Sequence, residues 1–188
     1  MGFLDALLGK SKLPKPKVDR LFAISTAYIT LEVNLGLKPD QSAGICFKAM
    51  ESSRYTSARL EIEELLHYSC CETQTEYKIK KDEYNYLWVV LKDKDFEDLV
   101  THIHLVSQTM IEHGFGEQLL CAIYRFTGEG GVVYWIYNFK QGTYYPFIPK
   151  SGHGRDNSME FRIRSVIEKE LPIEKEVEKW YPLWGIPI

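Results

Sequence analysis

The run DFEDLVTHIHLVSQTMIEHGFGEQLLCAIYRFTGEGGVVYWIYNFKQGTYYPF, residues 95–147, decides the fold class because its apolar period changes midway. Phe96, Leu99, Val100, Ile103, Val106 and Met110 recur at three- and four-residue steps before Gly114, which predicts one amphipathic helix over 95–113. Beyond it, aromatic and β-branched residues crowd 118–126, 132–139 and 143–147, and Gly128-Glu129-Gly130-Gly131 and Gln141-Gly142 separate them. That pattern predicts three antiparallel strands joined by short turns.

Working back toward the N-terminus, 84–91 is aromatic and β-branched, and 76–80 alternates Tyr77 and Ile79 with polar residues, so both are strands turning at Lys81-Asp82. Tyr55, Ala58, Ile62, Leu65 and Leu66 mark one face of a helix, with His67 near its end, and 42–50 is apolar enough for a buried strand. Leu21, Ile24, Tyr28, Leu31 and Leu35 then give a helix that stops at Gly36.

Working forward, a loop with Gly152, His153 and Gly154 leads to Asn157, whose side chain can cap a helix running through Ile167. Glu160 stands where a capping box needs its return partner. Pro172 suits the first turn of a further helix with Ile173, Val177, Trp180 and Tyr181 on one face, ended by Pro182. The order helix, strand, helix, two strands, helix, three strands, two helices predicts a single α+β domain over 18–188, an antiparallel sheet covered by helices. Nothing alternates as a doubly wound nucleotide-binding fold does.

Composition narrows the function. With 188 residues, 45% hydrophobic, the chain can bury one substantial core, and a net charge of -3 supplies no overall field for nucleic acid. Cys46, Cys70, Cys71 and Cys121 lack CxxC spacing, so neither a disulfide framework nor a zinc site is expected. Asp5 interrupts the apolar start, which fits neither a signal peptide nor a membrane span, and a cytoplasmic protein follows as the expectation.

Catalytic chemistry finds no pattern. His102 and His104 lie two residues apart, about 200° around a helix, and cannot share an ion. Neither a nucleophile elbow nor a phosphate loop is spelled. We therefore expect no catalytic residue, no metal and no cofactor, and a protein that works by binding.

Two regions carry binding candidates. Residues 1–17 form an apolar and basic tail in which Phe3, Leu4, Leu7 and Leu8 precede Lys10, Lys12, Lys15 and Lys17, the grammar of a weak interfacial anchor or a docking arm. The second region comprises the aromatics Tyr144, Tyr145 and Phe147, the polar loop Arg155, Asp156 and Asn157, and the late Trp180 and Trp184. An alternative is a ligand or enzyme pocket among Cys121, Tyr124, Trp135, Tyr145 and Arg155. A chaperone module with an apolar groove for a peptide is a third.

Several segments in order are similar to one family: MGFLDALLGK at 1–10, GICFK at 44–48, HGFGEQLLCAIYRF at 113–126, GTYYPFIP at 142–149, RDN at 155–157 and KWYPLWGIP at 179–187. Together they resemble PspAB, the protein associated with phage-shock protein A (PspA). The resemblance implies an accessory partner of PspA or of a companion stress protein in the envelope-stress response, cytoplasmic or peripheral to the inner face of the membrane. It brings no catalytic residues with it. The order of elements is also similar to secretion-chaperone-like domains, whose sheets grip peptide segments.

Overall fold

The computed structural model describes residues 16–188. Phe3, Leu4, Leu7, Leu8, Lys10, Lys12 and Lys15 lie outside the described residues. Four helices, α1 (Ile24–Leu35), α2 (Ser53–Thr73), α3 (Phe96–Glu112) and α4 (Asn157–Ile167), accompany six strands. These are β1 (Lys38–Lys48), β2 (Glu76–Lys81), β3 (Tyr86–Lys92), β4 (Leu119–Gly128), β5 (Gly131–Asn138) and β6 (Thr143–Phe147). They form one antiparallel sheet in the order β2-β3-β1-β4-β5-β6, and a two-stranded ribbon, β7 (Pro149–Lys150) with β8 (Gly154–Arg155), follows. The α+β class and the antiparallel sheet are those the sequence predicts.

Local chemistry sets the element ends. The Asp95 carboxylate accepts from Glu97 N at 2.8 Å and caps α3, and the Ser52 hydroxyl accepts from Tyr55 N at 3.2 Å and caps α2. Gly36, at φ 63°, ends α1 in the left-handed conformation that glycine adopts without penalty. At the β2–β3 turn the Asp82 carboxylate accepts from Tyr84 N, Tyr86 N and Trp88 Nε1, each at 2.9 Å.

The sheet divides its side chains by simple alternation. Ile45 and Phe47 of β1, Val89 of β3, Tyr124 and Phe126 of β4 and Trp135 and Tyr137 of β5 turn to the helices and are buried. There Phe96 of α3 meets Tyr124 and Phe126 edge-on, with ring centres 5.7 and 5.3 Å away. Burying each such side chain contributes about 1.5–3 kcal/mol, which makes α3 the spine of the core. On the opposite face, one row across the sheet reads Val90, Gly44, Ile123, Ile136, Tyr145, and the next reads Trp88, Cys46, Cys121, Asn138, Thr143.

Four expectations are corrected. The helix expected from Pro172 is an extended segment: Tyr144 N donates to Pro172 O and Glu174 N to Tyr144 O, both at 2.8 Å, and a parallel bridge joins Tyr144 to Ile173. Only a short 3-10 turn, Val177–Lys179, follows. The cap of α4 is Asp156, accepting from Met159 N at 3.1 Å, so Asn157 is the first helical residue and Glu160 makes no capping box. His67 is not at a helix end, because α2 continues to Thr73. Lys17, expected in the tail, belongs to the fold: its N–H donates to Phe139 O at 3.3 Å and its carbonyl accepts from the Tyr137 hydroxyl.

Burial raises five of the twelve tyrosines, namely Tyr55, to about 12, and Tyr124, Tyr137, Tyr144 and Tyr145, further above the ordinary phenol value of 10.0. Folding favours the neutral phenol, so this stability is complete below pH 10.0 and drains as pH rises toward and beyond 12. In an alkaline titration the phenolate absorbance of these five is expected to appear together with loss of far-UV circular dichroism. Their ionisation in a chain with unchanged dichroism would contradict the burial.

Candidate functional site

The second face of the sheet is crossed by residues 171–188, a strap that begins at the β6 edge and reaches β1. It is tied down by backbone and aromatic contacts in turn. Thr143 Oγ1 donates to Glu174 Oε2 at 3.0 Å, Trp180 Nε1 to Glu174 O at 2.9 Å and the Tyr145 hydroxyl to Tyr181 O at 3.0 Å. The Trp180 indole stacks on the Tyr145 ring at 6.4 Å, and Trp184 meets Phe147 edge-on at 5.1 Å. At the far end a Cβ placed on Gly44 would stand 3.0 Å from Ile188 Cγ2, so glycine makes room for the strap on β1.

One buried ion pair holds the strap to the domain. Arg155 Nη2 and Glu160 Oε2 are 2.8 Å apart, with side-chain exposures of 19% and 1%. Arg155 Nη1 donates to Trp180 O at 2.6 Å, and the guanidinium lies over the Phe147 ring at 5.4 Å. Glu160 Oε1 also accepts from Ile148 N at 2.8 Å. Burial pushes the Glu160 carboxyl up, while its bonds to Arg155 and Ile148 pull the other way.

Beyond Trp184 the strap leaves a groove of about 420 Å³. Cys46, Trp88 and Cys121 of the sheet form its floor, Leu183, Trp184 and Ile186 one wall, and Tyr84 and Tyr86 the other. Tyr84 is 71% exposed and Trp184 39%, so two large aromatics stand at the rim of an apolar hollow. A smaller hollow of about 330 Å³, between Cys121, Lys140, Tyr145 and Tyr181, lies on the other side of Leu183.

A family model described as PspA associated protein B (PspAB) matches residues 1–188, the whole chain. The chain belongs to the PspAB family. Comparison with curated proteins and with solved structures gave no match. Arg155 of this PspAB chain, together with Asp156, is engaged within the fold, Asp156 pairing with Lys150 at 2.8 Å. Asn157 is exposed on the first turn of α4. Tyr144 points into the helix layer, fully buried, whereas Tyr145, Phe147, Trp180 and Trp184 gather on the strap face.

The alternative pocket does not assemble, because Tyr124 and Trp135 lie on the helix side of the sheet and Cys121, Tyr145 and Arg155 on the other. What sequence reasoning missed is the groove itself: Cys46, Tyr84, Trp88, Leu183 and Ile186 meet only through strand order and strap path. The two histidines of α3 part as their spacing requires. His102 Nδ1 donates to Asp98 O at 2.6 Å and its Nε2 accepts from the Ser69 hydroxyl at 2.9 Å, whereas the His104 ring packs on Phe22 at 4.6 Å. Neither Ser69 nor His102 lines the groove or the hollow, so this Ser–His contact pins α2 to α3.

Among the described residues no group of three or more His, Cys, Asp or Glu side chains is arranged to hold a metal, and no helix is long and apolar enough to cross a membrane. Arg155→Ala leaves the Glu160 carboxylate buried without its partner and frees the strap. It is expected to lower the unfolding free energy by about 3–5 kcal/mol in urea denaturation, with Trp184 more exposed to acrylamide quenching. A loss under about 1 kcal/mol would show that the pair is not the clamp.

Proposed function

We propose that this PspAB protein is a non-enzymatic adaptor that binds PspA by taking one or two apolar side chains of it into the groove between Trp184 and Tyr84. The observation that carries the reading is the exposed aromatic rim over an apolar floor. Aromatic side chains beside a hollow are the usual anchors of protein–protein contacts, since they bury large areas while losing few rotamers. Family membership supplies the partner, because association with PspA is what its description states. The strap also supports a rigid surface, since its clamp and stacked rings limit the ordering that docking would cost.

A second apolar surface offers a direct comparison. Phe22, Ile29 and Val33 recur along the outer side of the first helical segment and are exposed, Val33 by 76%. The reading also extends, on sequence, to contact between the apolar and basic residues 1–15 and an anionic membrane surface.

Isothermal titration with purified PspA tests the groove. Tyr84→Ser and Trp184→Ser are each expected to weaken binding at least about tenfold, a loss of roughly 1.4 kcal/mol, while Val33→Ser leaves it unchanged. Tyr84 is exposed, so its replacement separates docking from folding. Unchanged affinity in both groove variants, or a loss confined to Val33→Ser, would move docking off the groove. For the tail, co-sedimentation with anionic liposomes is expected to fall when residues 1–15 are deleted, which leaves the Lys17 contacts in place, and equal sedimentation would remove the membrane contact from the reading.

A further inference from the structure

Cys46 of β1 and Cys121 of β4 stand directly opposite each other in the antiparallel pair, in a register continued by Ile45 with Ala122 and Gly44 with Ile123. Opposed residues in such a pair have Cα atoms about 4.5–5.5 Å apart, within the roughly 4.4–6.8 Å that a disulfide spans. Both thiols are free, and both line the same groove on the strap face of the sheet. The register shifts immediately after Cys46, where Leu120 is the extra residue of a bulge beside Cys121. Such a break gives the strands local latitude to adjust as a bond closes.

Access is unequal. Cys46 is 3% exposed, whereas Cys121 is partly exposed and lines both the groove and the hollow beyond Leu183. A small solute entering by the hollow meets Cys121 and not Cys46, and in the groove Cys121 is the more exposed of the two. The neighbouring Cys121 side chain, then burial, then the Asp82 charge push the Cys46 thiol up, so Cys46 stays neutral.

We propose that Cys46 and Cys121 form a dithiol site oxidised by hydrogen peroxide to a reversible disulfide joining β1 to β4. The Cys121 sulfur attacks one peroxide oxygen, the O–O bond breaks, and the departing oxygen takes the Cys121 proton and leaves as water. The remaining sulfenic hydroxyl is displaced by the Cys46 sulfur and takes the Cys46 proton, leaving as a second water. Two thiols lose two electrons in all and one peroxide gains two. The site lies in the floor of the groove proposed for docking, but its test uses no PspA, so the two readings fail separately.

The test treats the reduced, folded full chain with hydrogen peroxide, alkylates the remaining thiols and maps the digest by mass spectrometry. The expected product is a peptide joining Cys46 to Cys121 with loss of two hydrogens, reversed by dithiothreitol, while Cys70 remains alkylatable. In Cys46→Ser the Cys121 sulfenic acid has no resolving thiol and is trapped by dimedone. Conversion of Cys121 to sulfinic acid with Cys46 still alkylatable, or oxidation confined to the exposed Cys71, would overturn the assignment. The wild-type map decides the matter even if the serine variant folds poorly.

Discussion

The buried pair of Arg155 with Glu160 is the contact on which the arrangement of the second sheet face depends. A carboxylate with 1% exposure is stable only when its charge is met, and here a guanidinium and the Ile148 amide meet it together. The same guanidinium spends a second donor on the Trp180 carbonyl. One ion pair thereby joins α4, the end of β6 and the strap, adding to the hydrogen bonds and stacked rings between β6 and the strap. Much of an aromatic sheet face that would otherwise meet water is covered by the protein's own chain, leaving the groove at the Trp184 end and the smaller hollow beside Tyr181.

This division of labour separates stability from recognition. The helix face of the sheet, centred on Phe96, Tyr124 and Phe126, is closed and buried, and the clamp region is engaged within the fold. What remains available is the ground between strap and β3, where the indole N–H of Trp88 is already satisfied by Asp82 and its ring lines the floor. Binding surfaces of this kind need fixed polar groups and loose apolar ones, and the Asp82 turn supplies the first.

Most elements were legible because their apolar periods are clean: α3 and the three strands after it follow the stripe and the alternation in 95–147. The last expected helix failed for a physical reason. Ile173, Val177 and Trp180 do fall on one helical face, but the edge strand β6 offers the Tyr144 amide and carbonyl, and pairing with them outweighs a short helix that would nucleate poorly. Glu160 shows the same competition, since its position suits a capping box yet a charged donor five residues earlier binds it more strongly. The site was half legible: the late tryptophans and Tyr145 stood out by type. The convergence of Cys46, Trp88 and Cys121 depends on strand order, which local pattern does not encode.

The bridge between Tyr144 and Ile173 has a further consequence for how the sheet meets other chains. With segment 172–174 laid along β6, the outermost hydrogen-bonding groups on that side are partly spoken for, and the opposite border is β2. That border carries exposed Lys78, Lys80 and Lys81, whose mutual repulsion penalises a like strand lying alongside. The protein can therefore keep a sticky aromatic hollow at high concentration without stacking edge to edge into fibrils, because adhesion is confined to a face and growth is discouraged at both rims.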